Sequence, residues 1–317
     1  MDVLVVGCGS IGRRHINNLL AIRGIDRINI FTKRKDCPGL FGKDNGKLNV
    51  VKNLGSVKAD FAILCDPTYK HAATAIKLAR KRIPLFIEKP VARSYGEAEK
   101  VYRAAKKGRI KVAVGYNLRF LKALRYVKDC VASGRIGKPN FARIEAGQYL
   151  PDWRPYRDYR ASYSAKKKMG GGVSLDLSHE IDYMRYIFGD PVRWKTAKAR
   201  IGNLDIDCED VFEGVYIYKN GLICSVHLDY LQRKPRRSIK VFGSRGSIEC
   251  DIINKEIVLK RRTGSVSRIR GVAYFDIGKT YRDEIMEFIR AIRGGARMTV
   301  SLADGVADLK LLEDGHV

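Results

Sequence analysis

The sequence predicts an α/β protein: an N-terminal doubly wound parallel sheet, then an α+β domain carrying a large, mainly antiparallel, open sheet. Three observations lead there. Short apolar strands alternate with amphipathic helices over the first 120 residues, the pattern of parallel strands covered on both faces. After residue 120 the spacing changes to period-two stretches separated by turn residues. The length, 317 residues, exceeds what one core holds comfortably, since single cores stop growing at roughly 250–300 residues. Two domains are therefore expected, 1–120 and 121–317.

In the first domain Val3–Val6 reads as a buried strand ending at Gly7, and Ile11–Ile22 as a helix with Ile11, Ile16, Leu19, Leu20 and Ala21 on or near one face. Strands follow at Ile28–Phe31, Phe61–Cys65, Leu85–Ile87 and Val112–Tyr116. Helices are expected at His71–Arg82 and Ser94–Lys107; the latter opens with Ser94 and Glu97 at capping-box spacing and stops at Gly108. In the second domain a helix at Leu121–Ser133 precedes strands at Phe141–Gln148, Val192–Ile201, Val211–Tyr218, Leu222–Leu231, Ser238–Phe242, Ser247–Cys250 and Ile257–Lys260. Lys219-Asn220-Gly221 marks a hairpin. Helices are expected at Leu175–Phe188, ending at Gly189, at Tyr281–Ile292 and at about Ala303–Leu312.

Composition narrows the function. Apolar residues make up 45% and charged residues 30% of the chain, which excludes disordered and collagen-like classes. No run approaches the ~20 apolar residues of a membrane helix, and the N-terminus opens directly on a strand, so a soluble, cytoplasmic protein without a membrane partner is expected. Seven cysteines (Cys8, Cys37, Cys65, Cys130, Cys208, Cys224, Cys250) form no C-x-x-C pair and read as small core residues, with neither disulfides nor zinc expected. The net charge is +27, and the first 120 residues hold 25 basic against 9 acidic side chains. Such a field concentrates anionic ligands. No basic run exceeds four residues and no nucleic-acid-binding motif accompanies them, so a solvated basic surface without a specific nucleic-acid partner is expected.

Gly7-Cys8-Gly9-Ser10-Ile11-Gly12 is G-x-G-x-x-G at the first strand–helix turn, the context that makes this pattern specific for dinucleotides. Gly7 permits the turn, Gly9 the approach of a pyrophosphate and Gly12 close helix–sheet packing, while the helix N-terminus offers N–H groups to phosphates. Cofactor type is read at the end of the second strand. There stand Thr32, Lys33 and Arg34, followed by Lys35 and then the first acid, Asp36. One hydroxyl and two cations suit a 2′-phosphate, so NADP is expected in preference to NAD. Glu88-Lys89-Pro90 ends a strand at the carboxyl edge of the sheet, where Lys89 can hydrogen-bond a substrate hydroxyl. In Gly170-Gly171-Gly172-Val173-Ser174-Leu175-Asp176-Leu177-Ser178-His179-Glu180, Asp176 and His179 are expected on one helix face. His179 can take a proton from an alcohol. Metal binding by His179, Asp176 and Glu180 is not expected, since no further ligand lies at motif spacing, and Asp182 reads as a supporting group.

These elements, in this order, resemble the Gfo/Idh/MocA oxidoreductase family along the whole chain. The resemblance also covers Cys65-Asp66-Pro67 with His71, Gly115-Tyr116-Asn117-Leu118-Arg119-Phe120 and the closing Tyr281–Arg293 segment. It implies an N-terminal Rossmann domain and hydride transfer between nicotinamide and a secondary alcohol of a sugar, cyclitol or nucleotide sugar. Lys89 matches the family's catalytic lysine and His179 its catalytic histidine, with Asp176 beside it. It implies that Gly7, Gly9, Ser10, Ile11, Gly12, Thr32, Lys33, Arg34, Cys65, Asp66, Pro67, His71, Glu88 and Lys89 bind cofactor. Lys89, Asn117, Arg119, Tyr163, Asp176 and His179 bind substrate, and the open sheet forms a homodimer or homotetramer. Two departures stand out: Asp176 lies three rather than four residues before the histidine, and Asp66 replaces a threonine. Tyr159–Ala165 before the triple glycine is similar to a surface-sugar-pathway subgroup. The alternatives are a non-redox sugar-modifying enzyme that recycles tightly held NAD(H), and a non-enzymatic dinucleotide sensor.

Overall fold

The first strand, β1 (Asp2–Val6), is formed by a run of four residues that are at most 2% exposed, as a strand covered on both faces must be. This computed structural model describes residues 1–34, 37–41, 46–295 and 297–315. Gly9 then caps α1 (Ser10–Leu20), which buries Gly12, His15, Ile16 and Leu19. After β2 (Arg27–Phe31) come a short 3₁₀ turn at Pro38–Phe41 and β3 (Leu48–Val51). The chain continues through β4 (Phe61–Leu64), α2 (Thr68–Arg80), β5 (Leu85–Ile87), α3 (Tyr95–Gly108) and β6 (Val112–Val114). All six strands are parallel, in the order β3-β2-β1-β4-β5-β6. The order reverses between β1 and β4, which opens the crevice where ligands of such sheets bind.

Helix α3 is capped as its sequence predicts on one side only. Ser94 Oγ accepts from the Glu97 N–H, while the Glu97 carboxylate accepts from Arg93 N instead of reaching back to Ser94. At the other end Arg109, not a glycine, takes the left-handed conformation, with φ 53°. Gly108 has a different reason to be small: a Cβ there would lie 2.5 Å from the Ala79 carbonyl oxygen in α2.

The chain divides into two units, Met1–Tyr116 with Tyr281–Ala307, and Asn117–Thr280 with Asp308–Val317. This differs from a single cut at residue 120, because Tyr281–Ala307 belongs with the first unit. The reason is apolar: Ile285, Phe288 and Ile289 of α7 (Ile277–Ile292) are buried in the same core as Val3, Ile16, Phe61 and Phe86. Phe288 meets Phe61 and Phe86 edge-on at 5.6 and 5.9 Å.

In the second unit α4 (Lys122–Ala132) leads to β7 (Pro139–Gly147). The segment from Leu150 to Met169 carries four short 3₁₀ turns. Two helices follow, α5 (Val173–Asp176) and α6 (His179–Phe188), where one continuous helix is expected from the sequence. Leu177 has φ −101° and ψ 31°, so the helix breaks between them. The strands β8 (Arg193–Ala199), β9 (Val211–Ile217), β10 (Ile223–Asp229), β11 (Arg236–Gly243), β12 (Gly246–Asp251), β13 (Glu256–Arg261) and β14 (Val266–Arg270) complete an eight-stranded sheet. Its order is β14-β13-β12-β11-β7-β10-β9-β8, antiparallel except for the parallel β7–β10 pair. Helix α8 (Leu302–Leu311) closes the regular structure. The strands that sequence reading missed, β3 and β14, are both at sheet edges, where half-exposed residues give a weak pattern. Among the described residues no helix is long and apolar enough to cross a membrane.

Candidate active site

In the first unit the glycine turn is built from close approaches. Gly7 has φ +99°, and a Cβ on it would lie 2.6 Å from the Cys65 carbonyl oxygen. A Cβ on Gly12 would lie 2.3 Å from the Gly7 carbonyl oxygen, whereas one on Gly9 would meet nothing within 4 Å. Gly9 thus faces open space at the N-terminus of α1, which has no side-chain cap. Uncapped N–H groups at a helix start and a glycine with room before it fit a pyrophosphate. Ser10 and Ile11 open that helix. At the end of β2, Thr32 is half-buried, Lys33 and Arg34 are exposed, and the Thr32 hydroxyl accepts from the Arg34 N–H. Lys35 and Asp36 lie outside the described residues.

The turn after β4 and the turn after β5 are tied together by His71 of α2, which is 2% exposed. Its Nδ1 lies 2.9 Å from the Pro90 carbonyl oxygen and its Nε2 lies 2.7 Å from that of Asp66. Burial pushes the Asp66 carboxyl above its ordinary range, against the opposing pull of His71 and a hydrogen bond from Thr74. Pro67 caps α2, and Cys65 is buried beneath the glycine turn. The Lys89–Pro90 peptide is cis.

Glu88 faces the protein interior. Its Oε1 meets Nε2 of buried His15 at 2.6 Å, and its Oε2 accepts from the Lys89 N–H at 3.2 Å. Gly115 makes room for this carboxylate, which a Cβ there would crowd at 3.1 Å. Glu284 of α7 joins the group, so that His15, Glu88 and Glu284 place ligand-type atoms within 4.8 Å of one another. Sequence reading missed His15 and Glu284. The available signal was a histidine at i+3 from Gly12, on the same buried face as Ile16 and Leu19.

In the second unit Asp176 ends α5 and His179 begins α6, so the two do not share one helix face as the spacing suggests. Both are nonetheless buried, at 6% and 8% exposure. Asp176 accepts a 2.6 Å hydrogen bond from the Tyr230 hydroxyl and another from Tyr163. The Asp176 charge, together with burial, raises the Tyr163 pKa, and burial with the same charge raises that of Tyr230. Both phenols therefore remain donors. Trp153 packs edge-on against Tyr230 at 5.3 Å. Tyr230 was missed because it follows a strand 54 residues from its partner.

Asn117 and Arg119 are placed differently from a ligand-facing pair. Asn117 Nδ2 donates to Thr280 Oγ1 at 2.7 Å, and Arg119 makes a buried bidentate pair with Asp182 at 2.8–3.0 Å. Asp182 thus supports α6, as its position one turn after His179 suggests. Glu180 accepts from Arg237 at 2.8 Å, and a Cβ on Gly172 would collide with the Glu209 carboxylate at 2.4 Å.

The cysteines correct a sequence expectation. Cys8 and Cys37 form a disulfide, while Cys65, Cys130, Cys208, Cys224 and Cys250 are free and buried. Their separation of 29 positions in sequence hid the pairing. Cys8 follows β1 and Cys37 follows β2, and these strands are neighbours in register, which brings their ends together.

Two family models match this chain: an oxidoreductase-family NAD-binding Rossmann fold over residues 1–116, and a GFO/IDH/MocA C-terminal domain over residues 124–249. The chain belongs to the Gfo/Idh/MocA oxidoreductase family. This family member is 28% identical to myo-inositol 2-dehydrogenase of Thermotoga maritima, over 98% of this chain and 94% of that protein. Among solved structures, a probable dehydrogenase of Thermotoga maritima has 25% identity and a TM-score of 0.76, over 98% of this chain and 94% of the other. The WlbA dehydrogenase of Bordetella pertussis, solved with NADH and UDP-GlcNAcA, shares the fold with a TM-score of 0.83 at 19% identity, over 98% and 93% of the two chains. The protein is therefore an oxidoreductase with an NAD-binding Rossmann domain.

Proposed function

We propose that the protein transfers a hydride between a nicotinamide dinucleotide, with NADP preferred, and a secondary alcohol or ketone of a sugar, cyclitol or nucleotide sugar. The observation that carries this reading is the buried Asp176, held by two tyrosine hydroxyls three residues before buried His179. The inositol substrate of the Thermotoga maritima relative and the UDP-GlcNAcA bound to WlbA support polyhydroxylated substrates.

Bound nicotinamide supplies the hydride acceptor or donor. The chain's own residues handle the proton and the alignment. When an alcohol is oxidised, its hydroxyl proton has to leave as the carbon gives up hydride, and His179 is the group to hold it. The Lys89 ammonium can donate to a substrate hydroxyl and stabilise the negative charge that develops on its oxygen. Asp176, fixed by Tyr163 and Tyr230, accepts from a substrate hydroxyl and orients the ring. Lys89→Met and His179→Ala should each lower kcat by on the order of 10² or more, with cofactor affinity little changed. Absorbance at 340 nm against sugars, inositols and UDP-sugars is the assay, and near-wild-type turnover removes a residue from the mechanism.

The NADP preference rests on Thr32, Lys33 and Arg34. Charge-assisted hydrogen bonds contribute about 1.5–3 kcal/mol each, less where water competes, so a roughly 10- to 100-fold preference over NAD is expected. Fluorescence titration with NADPH and NADH measures it, and equal or tighter NADH binding rejects it. Self-association through the open sheet is part of the same reading. Phe242, Phe141, Ile223 and Ile217 form a row across four strands, with Phe141 and Phe242 stacked at 4.4 Å. Phe141→Lys should shift the protein toward monomer in size-exclusion chromatography.

A further inference from the structure

The Cys8–Cys37 disulfide joins the two segments that meet a dinucleotide. Cys8 is the middle residue of Gly7-Cys8-Gly9, and Cys37 stands three residues after Arg34. The cross-link closes a loop that contains all of α1 and β2. Cys8 is 2% exposed and Cys37 is fully buried, and both belong to the core under the sheet, with Ile30 and Cys65. Just after β2 the Arg34 N–H donates to the Thr32 hydroxyl, and the Lys33 and Arg34 side chains are exposed. A segment of two long, exposed cations selects a 2′-phosphate only if its backbone is held where the phosphate arrives, since each freely rotating side chain loses about 2 kcal/mol of entropy on ordering.

We infer that the Cys8–Cys37 disulfide is a cofactor-positioning strut: it anchors the Thr32–Arg34 segment to the glycine turn and so sets the preference for the 2′-phosphate. This inference rests on the NADP reading given above. It treats the two cysteines as positioning residues that act through Lys33 and Arg34. Burial of both sulfurs shields the bond from bulky thiols, and the neighbouring Cys65 thiol, kept protonated by burial, is a poor attacker. The strut is accordingly a standing feature of the protein.

The test compares oxidised and reduced protein. A small dithiol such as dithiothreitol breaks the S–S bond, gives Cys8 and Cys37 one proton and one electron each, and closes to its own cyclic disulfide. Thiol titration in denaturant should count five thiols before reduction and seven after. NADPH and NADH affinities are then measured on both forms, and on Cys37→Ser. Reduction, and the substitution, should lower NADPH affinity about tenfold and NADH affinity by less than about twofold, with the fold intact by circular dichroism. Seven thiols in the air-oxidised protein overturn the inference. So does an unchanged NADPH-to-NADH affinity ratio on reduction. Lys33→Ala with Arg34→Ala in the oxidised protein separates the two ideas. If that pair loses NADPH binding while reduction changes nothing, the strut alone fails. If the pair leaves NADPH binding unchanged, the NADP reading fails and takes the strut with it.

Discussion

The candidate site of the first unit is built mainly from backbone, and that of the second from side chains. In the first, Gly7, Gly9 and Gly12 fall within six consecutive residues; a Cβ on Gly7 or Gly12 would strike backbone, while Gly9 leaves open space. In the second, Asp176 depends on Tyr163 from a 3₁₀ turn and Tyr230 from beyond β10, and α6 depends on Arg119 gripping Asp182. The lesson is that a backbone site can be written in one short motif, whereas a side-chain site needs partners drawn from across the sheet.

Four substitutions can break or sharpen that contrast. The largest effect is expected from Arg119→Ala, which leaves the fully buried Asp182 carboxylate without its ion pair. Removing one partner of a buried pair costs about 3–5 kcal/mol. A denaturation midpoint close to wild type would mean that α6 is held by something else. Next is Gly7→Ala. A left-handed alanine costs about 1–2 kcal/mol, and its Cβ would also lie 2.6 Å from the Cys65 carbonyl oxygen. Dinucleotide affinity should fall at least tenfold by fluorescence titration, and unchanged binding would contradict a backbone-built site.

Tyr230→Phe comes third. It removes one of the two phenol donors on Asp176, a hydrogen bond to a charged group worth about 1.5–3 kcal/mol. A roughly tenfold loss of kcat with unchanged cofactor affinity is expected, because the cofactor half of the chemistry is built elsewhere. Equal loss in both would erase the distinction between the units.

The smallest effect is at His227 on β10, which bonds Asp229 at 3.0 Å and Glu213 at 2.6 Å. The hydrogen bond to Asp229, reinforced by Glu213, raises the His227 pKa to about 9. A raised folded pKa means that its stabilisation is fully present below the unfolded value near 6.5 and is lost as pH rises through about 9. Because the imidazole is 35% exposed, solvent screening reduces the effect to a few tenths of a kcal/mol. His227→Gln should flatten the decline of Tm between pH 6.5 and 9. An unaltered slope would show that the pair is inert.

Local physics explains what was legible. The parallel sheet announced itself through short apolar strands, and α3 through Ser94, because such signals lie within a few residues of the element they specify. The triple glycine pointed to Asp176 and His179, although the break at Leu177 did not show in their spacing. Edge strands β3 and β14 carried too little burial to be recognised.

By itself, the sequence determined the doubly wound parallel sheet apart from its edge strand β3, the glycine turn, the Glu88-Lys89-Pro90 strand end and the positions of Asp176 and His179, since each is a short-range pattern of size and polarity. Only the tertiary structure decided that Cys8 meets Cys37, that His15 and Glu284 close on Glu88, that Arg119 holds Asp182, that Tyr230 reaches Asp176 and that Tyr281–Ala307 returns to the first unit. Each of these joins residues separated by 29 or more positions. Such contacts follow from which strands are neighbours and which apolar faces are buried together, and no local spacing encodes that.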